Sequence, residues 1–210
     1  MRDAGRLAAA IDVLSQIEER HRPVRMALKN WGESARYAGS KDRAFVSGLV
    51  LDVLRRRRSL GWRMGDDSVR AGALGALRFL WDWPLERVAE AAGEEPHGPG
   101  ALSDAERIVL ETPRDLAEAP APIKGDYPDW LDAQLFRAFG DDRAAEGAAL
   151  SERAPVDLRI NLLKSDPERA LKALSSLAAE PTGVLPTALR MPALDPMTRS
   201  GAVETIPQFS

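Results

Sequence analysis

Ala154-Pro155-Val156-Asp157-Leu158-Arg159-Ile160-Asn161-Leu162-Leu163-Lys164 is the stretch on which the fold turns. Val156, Leu158, Ile160 and Leu162 alternate with Asp157, Arg159 and Asn161, the two-residue period of a strand with one buried and one wet face. A strand is therefore expected over 156–164. The next residues, Ser165-Asp166-Pro167-Glu168, put Ser and Glu at capping-box spacing and a Pro in the first helical turn. The helix expected over 166–179 carries Leu171, Leu174 and Ala178 on one face, with Ala170 and Leu177 beside them. A second strand is expected over 184–191. Two strands and a helix make an incomplete α+β unit, because so small a sheet is marginal unless it packs on something else.

Upstream, Asp126-Tyr127-Pro128-Asp129-Trp130-Leu131 opens a helix with Leu131, Leu135 and Ala138/Phe139 on one face and Gly140 at its end, so the unit is expected to cover 127–210. Residues 93–126 read as a Pro- and Gly-rich linker with one helix, Ser103 to Glu111, which Ser103 caps with Glu106 at box spacing. The first 92 residues keep a helical period. One helix runs from Asp3 to Arg20 on a stripe of Leu7, Ile11, Leu14 and Ile17. Pro23 opens a second, with Val24, Ala27, Leu28 and Trp31 inward. After the Gly39-Ser40 break a third runs from Lys41 to Arg57 on Phe45, Val46, Leu49, Val50 and Val53. A fourth covers Ser68 to Trp81, and Pro84 opens a short fifth. The expected fold class is mainly α: a helical bundle over 1–92, then the linker, then the small incomplete α+β subdomain.

With 210 residues, 44% of them hydrophobic, the chain is long enough for one large or two small globular domains. No apolar run approaches the roughly 20 residues that span a bilayer. The N-terminus has charges throughout a helical period, unlike a signal peptide, so a cytoplasmic protein with no membrane partner is expected. Cysteine is absent, which excludes disulfides, zinc–thiolate sites and thiol nucleophiles. His21 and His97 stand alone and are expected to be structural or solvated; no metal site is expected.

Charge is unevenly spread. Residues 1–63 carry 14 Lys and Arg against 7 Asp and Glu, whereas 64–153 carry 9 against 19. A basic first third on an acidic chain is the footprint of an anionic partner such as nucleic acid, or else of an Arg-rich solvated surface. Arg55 and Arg58 lie on the polar side of the third helix with Lys41, and these three are the expected phosphate contacts, against a plain solvated face. Arg56 and Arg57 fall in phase with the apolar side chains and are expected to lie along them, and Arg43 at the edge is expected to form an ion pair. Arg63 beside Trp62 would pair a charge with a stacking ring, although Trp62 fits a core position equally. Arg159 and Asn161 share the polar strand face, either as a platform for a nucleotide or as anchors for a further domain.

The run APVDLRINLLKSDPERALKAL resembles the strand and helix that lead into the catalytic domain of the Sun/Fmu family of RNA (cytosine-C5) methyltransferases, and YPDWL…FG precedes that strand in the family as it does here. GSKDRAFVSGLVLDVLRRRRSL resembles the NusB-like helical domain at the front of many bacterial members, through Asp42-Arg43, Phe45 and Val53-Leu54-Arg55. NusB-like domains usually finish with a longer Asn-containing helix; here Gly93 to Gly100 breaks the chain early.

The resemblance implies that residues 127–210 begin an RRM-like (ferredoxin-like) subdomain leading RNA to a catalytic cleft. It also implies that the cofactor domain would follow Ser210. In the family a cysteine thiolate adds to C6 of the pyrimidine, which makes C5 nucleophilic enough to take the methyl of S-adenosylmethionine, and a second cysteine assists release. This chain has no cysteine and no Gly-rich strand-to-helix turn followed by an acidic residue. The expectation is thus an RNA-binding front part of a ribosomal RNA methyltransferase. No catalytic residue and no cofactor are expected in this chain; S-adenosylmethionine would serve the full-length parent. The other reading is a stand-alone NusB-like transcription antitermination or protein-interaction factor, which would have no use for the strand at 156–164.

Overall fold

The computed structural model describes residues 1–193, and the expected subdomain's tail, 194–210, lies outside them. The chain is mainly helical with one small three-stranded antiparallel sheet. It divides into two compact units, the first Met1–Ser151 and the second beginning at Glu152. Among the described residues no helix is long and apolar enough to cross a membrane.

The first unit opens with α1 (Asp3–Arg20), α2 (Val24–Ser34) and α3 (Ser40–Arg55). The apolar stripes read from the sequence turn inward: Leu7, Leu14, Phe45, Val46, Leu49 and Val50 are fully buried. The helix expected to run to Arg57 stops at Arg55. Arg56 leaves helical geometry (φ −115°, ψ 23°), and a separate α4 (Arg57–Met64) follows. Leu60 and Met64 lie about two and three turns beyond Val53, in phase with it, so apolar periodicity cannot reveal the break. α4 packs on α5 (Val69–Phe79), where a Cβ on Gly72 or Gly75 would come within 3.0 Å of Val53 or Met64. Ser68 caps α5 by accepting from the Ala71 N–H, 3.2 Å.

α6 (Leu85–Gly93) starts after Pro84, and α7 (Asp104–Glu111) has the expected Ser103–Glu106 capping box. The stretch between 93 and 126 is fastened to the bundle. Leu110 is fully buried. Arg70 donates to the Pro99, Gly100 and Ala101 carbonyls and to Glu106. α8 (Ala121–Lys124), α9 (Asp132–Phe139) and α10 (Arg143–Leu150) complete the unit. Here Tyr127 is buried with its ring between Gly125 and Gly147, and its hydroxyl donates to Asp132, 2.7 Å. Arg143 donates to the same carboxylate, 2.9 Å. The unit thus closes at Ser151, past the expected boundaries at 92/93 and 126/127.

The second unit contains β1 (Val156–Arg159), α11 (Pro167–Ala173), β2 (Glu180–Pro181) and β3 (Ala188–Met191), with strand order β1-β3-β2. Val156 pairs with Met191 and Arg159 with Ala188. The strand expected to reach 164 ends at Arg159, and Leu162, expected on its buried face, is 62% exposed. The cause is local: the Asn161 side chain accepts from the Leu163 N–H, 3.0 Å, and its carbonyl accepts from Lys164 and Ser165. Such an Asx turn competes with the ladder. α11 is shorter than expected, and its cap is Asp166, which accepts from the Arg169 N–H at 2.9 Å, in place of Ser165. The strand expected over 184–191 keeps only its last four residues, and β2 adds a third strand that no alternation announced. Leu174, Leu189 and Met191 form the unit's buried centre.

Candidate nucleic-acid interface

Lys41 is exposed in the first turn of α3, with no ion-pair partner among the described residues. Its neighbour Asp42 points inward. It accepts from the Met1 ammonium at 3.1 Å, Arg6 Nε at 2.8 Å and the Gly39 N–H at 2.9 Å. Burial pushes the Asp42 carboxyl up, but the bonds from Arg6, Gly39 and Met1 outweigh it, and the group titrates below the ordinary carboxylate range. Arg43, expected in an ion pair, donates instead to the Ala38 carbonyl, 3.1 Å.

At the far end of α3, Arg55 pairs with Asp52 at 3.3 Å, and Asp52 also accepts from Trp81 Nε1 at 2.9 Å. Arg57, expected along the core, is exposed and pairs with Glu18 of α1, 2.7 Å. Arg58 donates to the Tyr127 carbonyl at 2.6 Å and to Asp129 at 2.7 Å. The break at Arg56 therefore puts Arg58 on a different helix from Lys41 and Arg55, and the polar face that one helix would have given all three does not exist. Arg63 lies half-buried, 3.8 Å from the centre of the Phe79 ring. Burial, with help from nearby Arg78, holds its pKa below the usual arginine value. Trp62 stacks under Arg114, not Arg63.

In the second unit, Arg159 is exposed at the end of β1, on the sheet face that carries Asp157 and Arg190. Those two form a two-bond pair, 2.7 and 2.8 Å, which holds the Asp157 carboxyl below its usual range. Asn161 does not share this face; it lies beyond the strand, with its side chain in the Asx turn.

Sequence reasoning missed the cations of the α1–α2 region. Arg20, Arg25 and Arg36 are exposed and, among the described residues, lack an ion-pair partner, while Lys29 meets Glu33 only at 3.7 Å across an exposed pair. One signal was available. Arg25 has no Asp or Glu three or four residues away on either side, whereas Arg55 has Asp52.

A family model described as the RsmF/B-like methyltransferase ferredoxin-like domain matches residues 127–196. The match takes in α9, α10 and the described second unit, and it makes that stretch similar to a part of RsmF/B-like methyltransferases. No curated protein matches the chain.

Proposed function

We propose that this chain is the RNA-binding front part of an S-adenosylmethionine-dependent ribosomal RNA (cytosine-C5) methyltransferase, with methyl transfer supplied by residues outside this sequence. The observation that carries the reading is the family match over 127–196, on a segment whose sheet presents Arg159 to solvent. In this reading the helices of residues 1–92 are a NusB-like RNA-binding bundle, residues 93–126 pack against it, and the stretch from residue 127 onward opens the subdomain that delivers RNA to the catalytic cleft. C5 methylation needs a thiolate to activate the pyrimidine, and a chain without cysteine contributes by binding and orienting its substrate. Lys41 and Arg159 meet phosphates directly, because among the described residues neither holds an ion pair that it would have to give up first. Arg55, Arg58 and Arg63 in the first unit and Asn161 in the second contribute secondarily, each already holding a partner in its own chain.

Fluorescence anisotropy with a structured ribosomal RNA fragment, repeated at several salt concentrations, tests the reading. Binding should weaken linearly on a log–log salt plot, and Lys41→Ala and Arg159→Ala should each reduce the slope by about 1. Absence of binding even at low salt overturns it.

A further inference from the structure

α4 and the turns beside it line a recess of about 380 Å³ whose wall carries Arg57, Arg58, Trp62, Asp66, Asp67 and Arg114. That is the size of a small-molecule pocket. Arg114 lays its guanidinium 3.9 Å from the centre of the Trp62 ring. Trp62 Nε1 donates to the Asp115 carbonyl at 3.0 Å, and the backbone N–H of Arg114 donates to the Arg63 carbonyl at 3.2 Å, which ties the main chain of Arg114 to α4. Arg114 is exposed and, among the described residues, has no carboxylate partner. Arg57 and Arg58 are held by Glu18 and Asp129, which leaves further N–H donors on each fork. Asp66 is occupied with the Ser68 N–H and hydroxyl, 2.8 Å each. Asp67 lies against Gly61, where a Cβ would overlap its carboxylate.

Three chemical demands are set side by side. A planar cation on an indole extends the surface on which another flat ring can stack. Guanidinium forks take phosphate oxygens. A carboxylate accepts from an exocyclic amino group, as on cytosine, and repels a carbonyl oxygen in the same place. One ligand class answers all three: a ribonucleotide with an amino-bearing base that is unpaired, so that the base can leave its stack.

We propose that this recess is a nucleotide pocket that stacks such a base on Arg114 and Trp62, reads its amino group with Asp67 and holds its phosphate on Arg57. The inference rests on the RNA-binding function proposed for the chain and specifies which kind of nucleotide the bundle selects.

The test titrates the full chain with cytidine 5′-monophosphate and uridine 5′-monophosphate while the Trp62 indole N–H is followed by NMR, assigned with Trp62→Phe. Anisotropy with an RNA hairpin containing an unpaired cytosine runs in parallel. The cytidine nucleotide should shift the Trp62 signal saturably and bind about tenfold tighter than the uridine nucleotide, the discrimination expected of one base-edge contact. Arg114→Gln should weaken both ligands, and Asp67→Asn, at an exposed carboxylate, should erase the preference while the fold persists. An unmoved Trp62 signal, equal affinity for the two nucleotides, or hairpin affinity unchanged in Arg114→Gln each overturns the pocket. Hairpin binding without nucleotide binding removes the pocket and leaves the RNA reading standing; nucleotide binding without hairpin binding does the reverse.

Discussion

At the scale of single residues, the arginines divide by what they already hold. Arg58 donates to a backbone carbonyl and a carboxylate that lie far along the chain, while Lys41 holds neither among the described residues. Arg58→Ala should therefore lower stability by about 1 to 2 kcal/mol in urea unfolding, the low side of a charged hydrogen bond because Asp129 is exposed. Lys41→Ala should stay within about 0.5 kcal/mol of the parent. Equal effects would show that Arg58 is not an anchor. A sharper steric case is Gly147, where an added Cβ would lie 2.6 Å from the Tyr127 ring and 2.7 Å from the Gly125 carbonyl. Tyr127 is pinned there; burial and Asp132 push its hydroxyl pKa up to about 12. Gly147→Ala should cost about 1 to 3 kcal/mol as an overpacking change. A variant as stable as the parent would mean the ring shifts freely.

At the scale of elements, periodicity and capping are legible wherever partners are close in sequence. α1 has its expected bounds, and the α7 box sits where Ser103 and Glu106 put it. Three features escape for physical reasons. The α3–α4 break hides behind apolar residues that stay in phase across it. β1 ends early because one Asn side chain prefers its own backbone to the ladder. β2, two residues long, exists only through its pairing with β3 and has no local signature. The site suffers likewise: Asp52 beside Arg55 is visible in the sequence, but Asp129 opposite Arg58, like Arg114 over Trp62, is a pairing between distant segments. The cap of α11 offers a test, because Ser165 and Asp166 both have suitable side chains and only Asp166 accepts from the helix. Asp166→Ala should cost about 1 kcal/mol, measured by urea unfolding, and Ser165→Ala close to nothing. The reverse order would restore the Ser165 cap.

At the scale of the whole molecule, Asp42 gathers the start of the chain onto α3 by accepting from Met1, Arg6 and Gly39. Its carboxyl is held below the ordinary range despite burial, whereas in the unfolded chain it returns to the ordinary carboxylate range. A depressed acid pKa stabilises the folded state fully above the unfolded value, and that contribution is lost as pH falls through the folded one. Glu106 shifts in the same direction: burial opposes the shift, but bonds from Arg70 and Ser103 outweigh it. The urea midpoint should therefore hold steady from pH 7 toward 5 and fall steeply below about 4. Asp42→Asn should be less stable at pH 7, because the amide cannot neutralise the Met1 ammonium and Arg6, and it should show a shallower acid decline. If its pH profile runs parallel to that of the parent, the acid sensitivity of the bundle arises elsewhere, and the Asp42 cluster positions the helix without governing its response to protons.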